Sequence, residues 1–405
     1  MARDALLSWE EALAHLRAAA TLVGTENLPL EEAAGRVLGE PVYSASPVPG
    51  FDNSAMDGYA VRSADLAHAQ TLPVAVRAAA GEPPQTLPPR AAARIFTGAP
   101  IPAGADTVVI QEDCARVGDA VQLPPGVKPG SHIRRAGEDV RAGQLILDRG
   151  ERLSPQGLGL AAACGVASLL VRRRVRVTLL STGDELRRVE DGPLAPGQIY
   201  DSNRPMLTAL LDRLACTVQS LGPIGDDFAT TRATLTAAAA DSDLILTTGG
   251  VSVGEEDHVK AALESAGELS LWRVAIKPGK PLAFGRLGAS HVLGLPGNPV
   301  SSFVTFLLFV RPFLAALSGE TLNPPVAFPV RAAFARPRPD RRREFLRARL
   351  KPEADGTLAA EVHPQQSSGA LSSTVWAQGL VDIPAGGTVA PGETVRFLPF
   401  SGLLA

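Results

Sequence analysis

The sequence predicts a multidomain chain of α/β plus β class, with a central doubly wound α/β domain flanked by β-rich ones. Three observations lead there. Between residues 175 and 317 apolar strand-like runs alternate with helical patterns, as in a mainly parallel sheet covered by helices on both faces. On either side, residues 61–147 and the chain past Gly319 break into short β-type runs separated by Gly and Pro. A length of 405 residues also exceeds what one compact core organises.

Composition narrows the function classes. A hydrophobic content of 45% with 20% charged residues is that of a globular protein, not a disordered or fibrous one. The net charge of -3 argues against a general nucleic-acid surface, and no nucleic-acid partner is expected. Cys114, Cys164 and Cys216 lie far apart without CxxC spacing, which excludes a disulfide framework and the usual thiolate zinc site and makes a cytoplasmic location the simplest expectation. The longest apolar run, 303–317, is short for a bilayer span and contains Arg311 and Pro312, so no membrane anchor is expected.

Taken in order, MARDALLSWEEALAHLRAAA has the spacing of an amphipathic helix. Residues 26–50 carry Pro29, Pro41, Pro47 and Pro49 and read as an extended connector. The stretch FDNSAMDGYA then crowds Asp52, Asn53, Ser54 and Asp57 into one polar turn. A small β-rich domain follows, with runs at 74–77, 94–97, 107–111 and 120–123, and Thr97 falls at a strand end where a hydroxyl can face a cleft. Residues 153–166 predict a helix with Ser154 as its cap, Pro155 in its first turn and Gly165 just past its end. In the α/β stretch the expected strands are 175–180, 217–221, 244–247 and 291–295, and the expected helices 204–214, 228–239, 258–265 and 300–317. Pro324, Pro325 and Pro329 mark a linker into a small C-terminal β-barrel or sandwich.

Ligands of open parallel sheets gather at the carboxyl ends of the strands, and the conspicuous polar turns fall there: STGDEL, GDD, TTGGVSVGEED, KPGKP and LPGNPVSS. Gly249 and Gly250 permit close backbone approach, and Thr248 and Ser252 add hydroxyl donors, so this turn suits an anion such as phosphate. Asp184, Glu185, Asp226, Asp227 and Asp257 would repel that anion unless a hard cation such as Mg²⁺ stood between them. Lys277 and Lys280 are two of only five lysines in the chain, and both sit in a proline-glycine turn. That turn and the one from Pro296 to Pro299 share a PGxP pattern, two rigid turns able to clamp one ligand. Cations for an oxyanion and carboxylates for a metal is the division these residues support.

The ordered set NSAMDGYA, FTGAPIPAGAD, STGDEL, IYDSN, TTGGVSVGEEDH, KPGKP and LPGNPVSS resembles the molybdopterin molybdenumtransferase family of molybdenum cofactor biosynthesis, which includes the gephyrin C-terminal domain. The resemblance covers nearly the whole chain. It implies a molybdopterin-binding α/β domain at 175–322, a small β domain at 51–139, an extended dimerisation stalk from 1–50 and 140–174, and a C-terminal barrel at 323–405. It implies a homodimer that takes adenylylated molybdopterin and molybdate, releases AMP with Mg²⁺ present, and is supplied by a molybdopterin adenylyltransferase. Residue by residue, Asp226 and Asp257 would hold the metal, with Asp57, Thr97 and Glu185 in the same cleft. Lys277, Lys280, Ser301, Arg347 and Ser368 would form the molybdate pocket. A receptor-anchoring scaffold and an adenylyltransferase-like nucleotide enzyme are the rival readings, and the retained carboxylates and lysines favour the transferase.

Overall fold

The computed structural model describes residues 6–225, 227–250 and 258–404. Its centre is a six-stranded sheet in the order Thr217–Ile224, Arg176–Thr182, Leu244–Thr248, Ser290–Leu295, Pro281–Leu287, Glu268–Arg273. The first four strands are parallel and the last two antiparallel. Helices Asn203–Arg213, Phe228–Asp241 and His258–Ala266 follow the expected positions. The antiparallel extension was not expected: PLAFGRL and ELSLWR are short runs beside Gly and Pro, and pairing along the sheet decides their conformation.

The expected helix at 300–317 begins at Pro299 and contains one π-type turn, Phe306–Val310, between Pro299–Thr305 and Arg311–Leu317. At 19 residues it is long and apolar enough to cross a membrane, yet 89% of its apolar window is buried inside the protein. This length corrects the shorter run read from the sequence. It is the central core helix, packed with Val177, Leu179, Leu244, Leu246, Leu293 and Leu295 from the sheet.

The first helix, Trp9–Ala19, opens with a capping box between Ser8 and Glu11. Its buried Ala12 and Leu16 join the α/β core, and the Trp9 indole donates to the Leu308 carbonyl at 3.2 Å, so by packing it belongs to the α/β body. The stalk proper pairs Thr25–Pro29 with Ser168–Arg172 and Val42–Tyr43 with Leu145–Leu147, around a core that includes Leu38, Leu153, Ala161 and Val171. Its helix Pro155–Ala163 has Ser154 accepting from Gly157 N, and Gly165 lies beyond the end at φ +79°. Arg152 and Arg311 both bond to the buried Glu320, and Arg152 also donates to Gly35 O at 2.6 Å, which fastens the stalk to the core helix.

The front domain is a second six-stranded sheet that includes Gly58–Val61, Ala92–Ile95 and Thr107–Ile110. A side chain on Gly58 would meet Val109 O at 1.9 Å, so only glycine allows this pairing. At the C-terminus Arg343–Pro352, Leu358–Val362, Phe328–Ala332, Thr394–Pro399 and Gly379–Ile383 close into a five-stranded barrel, so the barrel of the two expected alternatives is the one formed. Ile276–Lys277 adds to it in parallel and joins the barrel to the central body.

His291 lies in the core against Phe284 and Phe313, and both ring nitrogens lack a hydrogen-bond partner among the described residues. Burial is the main cause that pushes its pKa from 6.5 down to about 4, so the folded state holds the ring neutral. The unfolded chain takes up this proton first as pH falls. Stability is therefore fully present above about pH 6.5 and is lost as pH falls towards 4. His291→Leu is expected to flatten that part of the stability-pH curve in denaturant titrations; an unchanged slope would refute the assignment.

Candidate active site

The four parallel strands end level. Ser181 pairs with Thr248, Thr182 with Ile224, and Thr248 with Leu295. This register sets four turns side by side: Gly183 to Glu185, the turn at Gly225, Gly249-Gly250, and Pro296 to Pro299. Gly249 N donates to Leu295 O at 3.2 Å, and Asn203 Nδ2 donates to Gly297 O at 2.7 Å. A Cβ on Gly225 would lie 2.9 Å from Asp184 Oδ1, so those two turns touch. The exposed Glu185 folds its carboxylate back over Gly183.

Gly249 and Gly250 have left-handed backbones, φ +87° and +64°. A Cβ on the first would sit 2.9 Å from Thr182 O, and on the second 2.4 Å from Val259 Cγ2. The pair lets the strand end turn flat against its neighbour and against helix His258–Ala266.

Buried polar atoms collect at this rim without partners. Among the described residues Ser181 Oγ and the Oγ1 atoms of Thr182, Thr247 and Thr248 make no hydrogen bond, nor do Asp201 Oδ2 and Asn203 Oδ1. An unmade buried hydrogen bond costs about 1–3 kcal/mol, and such a group of them marks a ligand surface more readily than a packing defect. Asp201 and Asn203 lie in the IYDSN motif, but the sequence assigned them no individual role. Placed at the start of helix Asn203–Arg213, they look like ordinary caps, and only the coordinates reveal that Asn203 Oδ1 makes no hydrogen bond and that Asp201 Oδ2 has just a 4.0 Å ion pair with Arg204 Nε.

A second group begins at the same Pro296–Pro299 turn. The helix that follows Pro299 carries the buried Ser301, and Val300 N donates to Ser368 O at 3.0 Å, which ties this helix to a barrel loop. Beneath that loop lies Arg347, 1% exposed. Its guanidinium donates to Ser373 Oγ at 3.1 Å, Ser367 O at 3.1 Å and Gln365 O at 3.4 Å, and it has no carboxylate partner among the described residues. Burial pushes its pKa down to about 10. Its neighbours in RRREFLR are already matched, Arg342 by Asp340 and Arg343 by Asp382.

The KPGKP turn packs on the same helix, since a Cβ on Gly279 would meet Thr305 Cγ2 at 2.5 Å. Lys280 is exposed there. Lys277 lies on two barrel carboxylates, Asp340 at 3.0 Å and Glu344 at 2.9 Å. With Arg342 donating first among the causes, these contacts hold the Asp340 carboxyl well below the usual carboxylate range.

The fold thus brings Glu185, Thr248, Gly249, Gly250 and Pro296 together at the rim, and Pro299, Ser301, Lys277, Lys280, Arg347 and Ser368 around the adjoining helix and barrel loop. Asp57 and Thr97 lie elsewhere in this chain, on the front sheet. There Thr97 donates from N at 2.8 Å and from Oγ1 at 2.7 Å to Asp57 Oδ1, and the backbone bond is the first cause lowering the Asp57 pKa. Asp226, Ser252 and Asp257 lie outside the described residues.

Comparison with known proteins agrees along the chain. Residues 7–165 match the "MoeA N-terminal region (domain I and II)", residues 178–316 the "Probable molybdopterin binding domain" and residues 329–400 the "MoeA C-terminal region (domain IV)". The chain is 43% identical to the molybdopterin molybdenumtransferase of Haemophilus influenzae, over 94% of this chain and 95% of that one. It is 42% identical to molybdopterin molybdenumtransferase 2 of Mycobacterium tuberculosis, over 88% and 90%. The crystal structure of the molybdopterin biosynthesis moeA protein of Pyrococcus horikoshii OT3 superposes with a TM-score of 0.82 at 30% identity, covering 98% of this chain and all of that one.

The backbone at Gly250 allows a direct check. Gly250→Ala is expected to cost roughly 1–2 kcal/mol of unfolding free energy from the left-handed conformation alone. Guanidinium denaturation measures it, and a midpoint equal to that of the parent chain would show that the turn relaxes freely.

Proposed function

The chain belongs to the molybdopterin molybdenumtransferase family of molybdenum cofactor biosynthesis, and on that premise we propose that its rim takes adenylylated molybdopterin while the adjoining barrel pocket takes molybdate. The observation that carries this reading is Arg347. A buried guanidinium held by carbonyl and hydroxyl oxygens, with no carboxylate beside it, is stabilised by an incoming anion. Ser301 and Ser368 add hydroxyl donors next to it, and Lys280 adds a mobile positive charge. Lys277 is engaged by Asp340 and Glu344, which also hold Arg342 and Arg336, so its part is to hold the barrel against the sheet while Arg347 and Lys280 attract the oxyanion.

At the rim the unmatched hydroxyls of Ser181, Thr182 and Thr248 and the left-handed turn at Gly250 suit a pyrophosphate. Water attacks the phosphoanhydride, so AMP leaves and the remaining phosphate stays on molybdopterin, while the two dithiolene thiols replace one molybdate oxygen, which departs as water with their protons. Shared use of the Pro296–Pro299 turn keeps the two ligands adjacent, so the cleavage and the metal transfer are coupled by proximity.

Carboxylate and hydroxyl oxygens from Asp184, Glu185, Thr182 and Thr248 are the hard donors that Mg²⁺ prefers, so the chemistry of the rim fits that ion. Asp226 and Asp257 are the residues proposed to bind it, and among the described residues no three metal-binding side chains converge. When bound, the ion offsets the charge of the pyrophosphate.

A homodimer would complete the cleft. Tyr43 and Leu145, paired across the stalk strands, and Phe51 are all about half exposed, which supports a partner there. In that arrangement Asp57 and Thr97 of one subunit face the rim of the other. The three free thiols fit a reducing cytoplasm, and a molybdopterin adenylyltransferase is the proposed supplier of substrate.

The test supplies purified protein with adenylylated molybdopterin, Mg²⁺ and molybdate, and follows AMP together with metal-loaded cofactor. Arg347→Met is expected to raise the molybdate concentration needed for half-maximal rate by roughly tenfold or more, the worth of one charged hydrogen-bond partner. Arg347→Lys, which retains the charge, separates that effect from damage to the barrel. An unchanged molybdate dependence in both variants would refute the pocket. Asp257→Ala is expected to abolish most AMP release without unfolding the chain, and retained release would overturn its metal role.

A further inference from the structure

At the opposite edge of the central sheet, where Val175 and Thr217 lead into their strands, the stalk meets the α/β body around a small cavity of about 20 Å³. Five arginines line it: Arg36, Arg152 and Arg172 from the stalk, and Arg173 and Arg174 from the short link into the sheet. Among the described residues no carboxylate does. Glu26, on the adjoining trough, pairs with Arg36, and outside the cavity lining Glu320 pairs with Arg152 and Asp243 with Arg173. Arg172 donates to Val23 O at 3.0 Å, and the exposed Arg174 side chain makes no hydrogen bond or ion pair among the described residues. Five arginines thus line one cavity, three of them paired with carboxylates among the described residues, and such like charges repel unless an anion joins them.

Leu214 and Cys216 also line the cavity, and it shares Arg36, Arg173 and Arg174 with a trough of about 740 Å³. The inner space admits about one oxygen atom of a tetrahedral anion, since a water-sized occupant needs roughly 10–15 Å³. The trough has room for the remainder; Arg36, Arg173, Arg174 and Arg176 line it together with Glu26, Glu31 and Glu32, so it suits an uncharged group beyond the phosphate.

We propose that this joint binds a phosphate group, free or at the end of a small organic phosphate lying in the trough. One phosphate oxygen enters between Arg172 and Arg174, whose planar forks match it. The ligand joins residues of the stalk to residues of the sheet, so it braces the angle between them. It lies at the amino ends of the strands, away from the rim, and the proposal does not depend on the reaction assigned there.

Isothermal titration of the full chain at constant ionic strength with inorganic phosphate, glycerol 3-phosphate and chloride tests it. Arg174→Gln, which alters an exposed side chain, is expected to weaken phosphate binding about tenfold, by the loss of one charged partner. Its unfolding curve in phosphate-free buffer is expected to match the parent's, and Lys280→Gln at the rim is expected to retain full affinity. Tighter binding of glycerol 3-phosphate than of inorganic phosphate would support the organic ligand, and the reverse order the free ion. Equal affinity in the Arg174→Gln and parent chains, a loss confined to Lys280→Gln, or equal binding of chloride would each overturn the proposal.

Discussion

Level strand ends are the constraint on which the site depends. Residues on separate strands reach one rim because the parallel pairings set Ser181 beside Thr248 and Thr248 beside Leu295. A slip of one residue would turn each of the buried hydroxyls to the other face and separate the turns they support. The buried helix from Pro299 to Leu317 stabilises that register by covering one face of all the inner strands. Its first turn also begins at the rim, so the element that fixes the core aims the Pro296–Pro299 turn as well.

Two physical environments meet there. The rim offers unmatched neutral donors and exposed carboxylates, whereas the barrel side offers a desolvated guanidinium. Carboxylates of the barrel pair with Lys277, Arg342 and Arg343, whereas Arg347 is buried without one among the described residues. The barrel therefore acts on the site as much by withholding positive charge as by supplying it.

Much of this was legible in the sequence because it depends on local rules. Strand and helix alternation, the Ser154 cap, Pro155 and Gly165, and the clustering of polar turns at strand ends all follow from spacing and backbone preference. What was not legible depends on pairing between distant segments. The two antiparallel edge strands take their conformation from neighbours. Gly249 and Gly250 read as ligand-facing, yet steric contact with Thr182 and Val259 already requires them. Lys277 reads as a free cation because its partners Asp340 and Glu344 lie more than sixty positions away in another domain. The same separation hides which of several arginines is buried without a carboxylate among the described residues.

The contact between Trp9 and Leu308 also affects how the chain is made. The two residues stand 299 positions apart. At roughly 5–20 residues per second on the ribosome, the amphipathic first helix emerges about 15–60 s before the core helix that covers it. During that interval its apolar stripe is open to holding chaperones. Completion of the central body thus waits for translation to pass the last turn of the α/β region, and a nascent chain arrested earlier would present a greasy amino-terminal segment to cellular quality control.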